Sequence, residues 1–365
     1  MATRAVRPLS SNLARTGLHG WSVSQIVPCT YPSNFFSTSS QDPTPENDKK
    51  PSSSIASTVL LTSDQSKHLD ATTRGIGQVI FLNSTKSGQV ILLSLAVGDP
   101  TLAAYAALGA VTATTTAKFI GLDKNALNDG LWGYNGALIG CAASVFVPFF
   151  PYAVASTLVG AAITPVLSAS LKSATSIPQW TWSFNFIALT SLLQTRPLIE
   201  GADSTSAESV TGMLELALSP LVGISQIFVV NSHLTGAGIV GAIGMYSPKL
   251  AVHALRGSLT GCLVGLLSGA DMSEVAMGLY GYNSALASMA VGTFFVNSRQ
   301  TVVLSAMGAA ASAALFGAMQ PVFGMHGVPC LTLPFCTVAS ACYLLEGHIP
   351  GLVLAKEPHS PEKNN

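Results

Sequence analysis

Apolar residues dominate the chain from about position 75 to 345, and polar residues interrupt them only at short, spaced breaks. Between Gly130 and Thr195 the single charged residue is Lys172. A membrane-spanning helix needs about 20 predominantly apolar residues, so a stretch this long holds several. A helix of a soluble bundle would carry a polar face, and these segments carry almost none. The pattern predicts an all-α integral membrane protein. Two polar breaks come early in their segments. "GIGQVIFLNSTKSG", starting at Gly75, and "GISQIFVVNSHLTG", starting at Gly223, each hold only a short apolar run before the break. About eight such residues make roughly 12 Å of helix, half a membrane. Each run therefore predicts a half-spanning, re-entrant helix that ends inside the protein. Its last carbonyls lack helical partners and have to face protein or a polar path.

The two segments belong to a longer duplication. With Gly75 set against Gly223, an offset of 148 carries without a gap to Gly140 against Ser288, and 22 of the 66 aligned positions are identical. The matches include Gln78/Gln226, Asn83/Asn231, Pro100/Pro248, Asp123/Asp271, Tyr134/Tyr282, Asn135/Asn283 and Leu138/Leu286. Shared apolar composition inflates Ala and Gly matches but does not align Gln, Asn, Pro, Asp and Tyr. "GLWGYNGALIG" (130–140) thus returns as "GLYGYNSALAS" (278–288). Further on, "WTWSFNFIALTSLL" (180–193) resembles "CLTLPFCTVASACYLL" (330–345) at an offset of 151, which pairs Thr181 with Thr332. The chain reads as a polar N-terminal tail (1–58), a first membrane repeat (59–195), a connecting loop (196–217), a second repeat (218–349) and a polar, disordered C-terminal tail (350–365). Duplicated membrane proteins place the substrate path where the repeats meet, near the bilayer midplane.

Charge and chemistry narrow this further. Seventeen basic residues balance seventeen acidic ones, and charged residues make up 9% of the chain. That balance argues against a nucleic-acid partner. The six cysteines form no C-x-x-C pair and the seven histidines no ligand pair, so no metal site or cofactor is expected. With no nucleophile–base set either, the chain is not expected to be an enzyme. Residues 1–41 carry Arg4, Arg7 and Arg15, many Ser and Thr, and no acid. This composition fits a mitochondrial transit peptide or an ordinary disordered tail.

At the duplicated positions the polar groups are neutral. Gln78 and Gln226 each offer an acceptor and two donors inside an apolar stretch. Tyr134 and Tyr282 stand four residues before Leu138 and Leu286, on one helical face. With Phe81 and Val229 these residues can build a flat, apolar slot around a planar solute. Thr181 and Thr332 can supply hydroxyls at a midplane constriction. Asn135 and Asn283 read as structural, since Asn tolerates φ > 0 and caps broken helices. Arg256, with Leu108 as its counterpart, reads as an interface residue. An ion path needs rings of charges or carbonyl cages, and no ring of charges is present. A small, neutral, planar solute rich in N–H groups suits this lining.

The ordered, repeated set "RGIGQVIFLNSTKSG", "GLWGYNGALIG", "GLYGYNSALAS" and "LTLPFC" resembles the urea transporter family, over about Arg74 to Leu345. The resemblance implies two inverted repeats, each of five transmembrane helices plus one half-spanning re-entrant helix. It implies a homotrimer with a central pore in each protomer, set in membrane lipid. It also implies passive, channel-like passage of urea. By the same resemblance Gln78 and Gln226 flank a ladder of carbonyl oxygens. Phe81, Tyr134, Leu138, Val229, Tyr282 and Leu286 form the slots, and Thr181 and Thr332 narrow the middle. Ser183 stands where the second half keeps Pro334. The plasma membrane is the location the resemblance implies, and the mitochondrial inner membrane the one its Arg- and Ser-rich N-terminus suggests. Other readings are a channel for ammonia, another amide or water, an ion-coupled transporter, and a non-transporting scaffold. Paired pore histidines, an acid at the midplane, and unpaired glutamines would respectively mark ammonia conduction, ion coupling and a scaffold, and the sequence shows none of them.

Overall fold

The computed structural model describes residues 63–199 and 212–364. The whole tail 1–58 and most of the connecting loop 196–217 lie outside them. The described residues form helices and turns, with one isolated bridge between Phe295 and Leu354. In chain order the helices are α1 (Ser63–Gln78), α2 (Thr85–Gly98), α3 (Pro100–Phe119), α4 (Lys124–Asn128), α5 (Tyr134–Phe146), α6 (Phe150–Ala174) and α7 (Trp182–Ile199). They continue as α8 (Met213–Ser225) with a 3-10 turn (Gln226–Phe228), α9 (His233–Tyr246), α10 (Pro248–Leu267), α11 (Met272–Ala276), α12 (Gly281–Phe294), α13 (Arg299–Gly324) and α14 (Leu333–Tyr343).

Local chemistry sets the boundaries, and it is duplicated. Ser84 and Ser232 cap α2 and α9 by accepting from the backbone N–H three residues on. Asp99 and Ser247 do the same for α3 and α10, each followed by a proline at the first helical position. Asp123 and Asp271 cap the short helices α4 and α11. Gly121 and Gly269, both at φ +75°, end α3 and α10 in the left-handed conformation. As a result α2/α9, α3/α10 and α4/α11 have bounds that differ by 148 residues at both ends.

By length and composition α6, α10 and α13 can each cross a membrane. The α8 unit and α9 pass the same test as a pair, bent by 78° at their break. The bend falls at the second of the early polar breaks, and the helices ahead of the two breaks are longer than the eight residues expected: α1 has 16 residues and α8 has 13. Large apolar side chains point outward from the long helices: Phe150, Val159 and Ile163 on α6, Val303 and Met307 on α13, Leu267 on α10. In water such surfaces are an aggregation hazard, and in lipid they are the expected outer face. The two halves meet along α2 and α9. There Ser87 Oγ donates to the Ala242 carbonyl at 3.1 Å, Gly98 admits the Thr235 hydroxyl, and Gly238 admits Ser94.

Two side features differ from the reading of the sequence. The tail after Pro350, expected to be disordered, is docked as far as Asn364. Glu362 accepts from Ser247 Oγ at 2.5 Å and from Lys249 N at 2.7 Å, at the start of α10. Asn364 donates to the Thr293 carbonyl at 2.7 Å at the end of α12. A short polar tail looks disordered from composition, but these side chains satisfy helix-end groups that have no partner in their own helix. Arg256 turns inward, with Nη2 3.0 Å from Ser305 Oγ on α13 and 3.3 Å from His253 Nδ1.

Candidate transport pore

α1 ends at Gln78, and α8 runs into the turn that starts at Gln226, so both glutamines stand at the tips of their helices. Gln78 donates from Nε2 to the Asp129 carbonyl at 2.8 Å, and Gln226 donates to the Met277 carbonyl at 2.9 Å. Asp129 and Met277 are themselves 148 residues apart. One N–H of each amide is thus fixed by protein. The Oε1 of each accepts no hydrogen bond from a described residue. In the first half a further network steadies the Asp129 loop. Arg74 pairs with Asp70 at 2.7 Å and donates to Asn83 Oδ1 at 2.9 Å, and Asn83 donates to Asp129 Oδ1 at 3.0 Å.

The repeated glycines make this reach possible. Gly130 and Gly278 sit at φ +74° and +73°. A Cβ on Gly130 would lie 2.4 Å from Gly75 N, and one on Gly278 would lie 2.3 Å from Gly223 N. Backbone therefore packs on backbone where α1 or α8 meets the turn before α5 or α12. That contact is the reason the glycine spacing is written twice.

Beyond each glutamine the chain turns through a left-handed residue. Phe81 has φ 66° and Val229 φ 62°. Trp180 and Leu331, each just before its threonine, have φ 43° and 51°. Among the described residues these are the non-glycine positions with positive φ, and they form two matched pairs. Such a conformation costs on the order of 1–3 kcal/mol for a bulky side chain and persists at functional sites. Its effect here is to end the helices abruptly. The carbonyls of Val79, Ile80 and Phe81, and of Ile227, Phe228 and Val229, accept no hydrogen bond among the described residues. They lie in the turns beyond the helices and not at the helix ends as the short segments predict: the last carbonyls of α1, Gly77 and Gln78, accept from Ile80, Leu82 and Phe81.

The tyrosines lock the other strained pair in place. Tyr134 Oη donates to the Trp180 carbonyl at 2.5 Å, and Tyr282 Oη donates to the Leu331 carbonyl at 2.6 Å. Leu138 and Leu286, one turn further on, are each 1% exposed and belong to the packed core. At the centre the two threonines touch: Thr181 Oγ1 lies 2.7 Å from Thr332 Oγ1. Asn185 braces them, donating to Thr332 Oγ1 at 2.9 Å and accepting from Thr332 N at 3.0 Å. Cys336, the counterpart of Asn185, places its Sγ 3.1 Å from Thr181 Oγ1.

Asn135 and Asn283 are structural in a different way from the one expected. Neither has positive φ; both lie within helices. Asn283 donates to the Leu331 carbonyl at 3.2 Å and accepts from Phe335 N at 3.1 Å, which caps the start of α14 from outside. Asn135 donates to Ser168 Oγ at 3.3 Å, and Ser168 donates to Ser183 Oγ at 2.8 Å. Ser183, which replaces the proline, is thereby tied into the first half by side chains.

On the second-half side these residues open onto a cavity of about 80 Å³ lined by Gln226, Val229, Tyr282, Leu331 and Thr332, with Phe146 and Phe184 from the first half. A single water needs only about 10–15 Å³ on this measure, so a small planar solute fits. The sequence missed Trp180, Leu331, Asn185 and Cys336. The offset of 151 that pairs the threonines also pairs these four, so the signal was present in the alignment. Among the described residues no cluster of His, Cys, Asp and Glu could hold a metal.

Residues 69–347 match the model of the urea transporter family. The chain is 32% identical to "Urea transporter 1" of Ovis aries over 317 residues, which covers 81% of this chain and 82% of the relative. It is 32% identical to "Urea transporter 1" of Mus musculus over 315 residues, covering 80% and 82%.

Proposed function

The chain belongs to the urea transporter family, and from that premise we propose that it carries urea passively through the pore described above. It is an integral membrane protein of a transport family, and urea is the permeant. The observation that carries the pore assignment is the direct contact of Thr181 with Thr332, 2.7 Å apart. Two residues 151 positions apart in sequence, each at the same place in its half, meet at one point. Around that point each half repeats one arrangement of glutamine, stranded carbonyls and a tyrosine-locked turn.

The mechanism follows from the lining. Urea carries four N–H donors in one plane and two apolar faces. The carbonyls of Val79–Phe81 and Ile227–Val229, with the two glutamine oxygens, accept from its edge, while Phe81, Val229 and the tyrosine rings touch its faces. Hydrogen bonds made in the pore replace those made to water, so admission costs little net free energy. Several weak sites in series let the solute leave, as conduction requires. A cation finds no compensating formal charge here, and the carbonyl dipoles alone would have to offset its desolvation. We read the two halves as inverted repeats of five spanning helices plus a half-spanning one, and the assembly as a homotrimer. The plasma membrane is the proposed host, and mass spectrometry of the mature N-terminus distinguishes it from a mitochondrial destination.

Proteoliposomes carrying the protein are expected to take up urea rapidly and at the same rate with or without Na⁺ and H⁺ gradients. A rate that collapses when the gradients are removed would reject the passive mechanism.

A further inference from the structure

The two halves of the pore are not equally open, and the difference lies in residues that their counterparts identify. On the second-half side Leu331, Val229, Phe146 and Phe184 line the cavity. Their first-half counterparts are Trp180, Phe81, Phe294 and Phe335. Where the first set surrounds space, the second fills it. The Trp180 ring lies 4.9 Å from Phe294, 5.7 Å from Phe335 and 6.2 Å from Phe81, all edge-to-face. Phe81 in turn lies 6.2 Å from Phe294 and 6.3 Å from Phe335. Trp180 is 5% exposed, and its indole N–H donates to Ser340 Oγ at 3.0 Å.

From this we infer that Trp180 is a wedge that closes the first-half slot and sets both the rate and the size limit of permeation. The inference rests on the pore assignment above. An indole stands where the other half has an isobutyl group, and a phenyl where it has an isopropyl. The wedge is held on every side. Tyr134 fixes the Trp180 carbonyl and Ser340 the indole nitrogen. Phe294, its nearest ring, stands at the end of α12, where the docked tail pins the backbone: Ala355 N donates to the Phe294 carbonyl, and Val296 N to the Val353 carbonyl, both at 2.9 Å. Edge-to-face aromatic pairs attract beyond what their burial contributes. A ring with several such partners opens rarely, so each passage through this half waits for it to move.

The test compares native protein, Trp180→Leu and Leu331→Trp in proteoliposomes, with urea and the bulkier N,N′-dimethylurea as permeants. Trp180→Leu copies the open half. It is expected to raise urea permeability at least threefold and to admit dimethylurea, which the native protein is expected to exclude. Leu331→Trp places a second wedge in the existing cavity and is expected to lower urea permeability at least fivefold. This arm keeps the test informative if the first variant fails to fold. Native protein that conducts urea, with permeability unchanged in Trp180→Leu or, where that variant fails to fold, in Leu331→Trp, would overturn the wedge alone. Native protein and folded variants that all conduct no faster than empty vesicles would overturn the pore assignment, and the wedge with it.

Discussion

Thr332→Val keeps the side chain's volume and removes a hydroxyl where the two halves meet. In the native structure Oγ1 of Thr332 engages Thr181 Oγ1 at 2.7 Å and Asn185 Nδ2 at 2.9 Å. After the substitution Asn185 still donates to the Thr181 carbonyl at 2.9 Å and accepts from the residue-332 N–H at 3.0 Å. Thr181 keeps Cys336 Sγ at 3.1 Å. No buried group is stranded, because Asn185 and Thr181 each keep another partner, so the fold loses two hydrogen bonds of the kind worth ~0.6 kcal/mol each between membrane helices. Permeation loses as well. A urea stepping between the slots is stripped of water, and the valine leaves one of its polar groups unmet. A hydrogen bond missing only at that step costs about 1–1.5 kcal/mol. At about 1.4 kcal/mol per tenfold, urea flux should fall about five- to tenfold. Thr332→Ser keeps the hydroxyl and should stay within about twofold on the same reasoning. Stopped-flow light scattering on proteoliposomes of equal protein content measures all three. Native flux in a well-folded Thr332→Val would refute a role for the hydroxyl. Equal slowing by serine and valine would show that side-chain volume matters and the hydrogen bond does not.

Gln78→Ala and Gln226→Ala should each slow urea several-fold, because each removes an acceptor and frees the Asp129 or Met277 carbonyl; unchanged flux in both would remove the glutamines from the pore. Gly130→Ala should lower thermal stability far more than Gly121→Ala, as read by temperature-ramped size-exclusion chromatography. Both positions have φ near +75°, which costs an L-residue about 1–2 kcal/mol. Only at Gly130 would the new Cβ also strike backbone, 2.4 Å from Gly75 N, whereas nothing lies within 4 Å at Gly121. Equal effects would mean that backbone packing there is unimportant. The docked tail should loosen as pH falls from 7 to 4. Burial raises the Glu362 carboxyl, but the hydrogen bonds from Ser247 and Lys249 outweigh it and hold it below its ordinary value. Burial, and then the nearby Lys363, hold His359 below its ordinary value. Both groups bind protons more weakly when docked than when released. Docking is therefore favoured above their ordinary values and lost as pH falls through the lowered ones. Hydrogen exchange over 352–364, corrected for its intrinsic pH dependence, reads this directly, and constant protection across the range would contradict it.

Much of the site could be read from one dimension because the duplication is itself one-dimensional. An offset of 148 pairs Gln78 with Gln226 and Tyr134 with Tyr282 whatever the fold. Matched polar residues in apolar stretches are conspicuous because burying them is costly. Leu138 and Leu286 pair by the same logic, and both are as buried as Thr181 and Thr332. An apolar residue bears no mark that separates a pore wall from a helix interface.

The sequence alone determined that the chain is built for a membrane and that it is two copies of one plan. These are consequences of composition, offset and run length. The tertiary structure decided which groups meet. It set the threonines 2.7 Å apart, turned four bulky residues into the left-handed region and aimed each tyrosine at a strained carbonyl. It also filled one slot with Trp180 while leaving its counterpart open, through a hydrogen bond to Ser340, 160 residues away. Contacts across such separations depend on how whole helices pack. Their energies are shared among many side chains at once, and no local pattern in the chain encodes them.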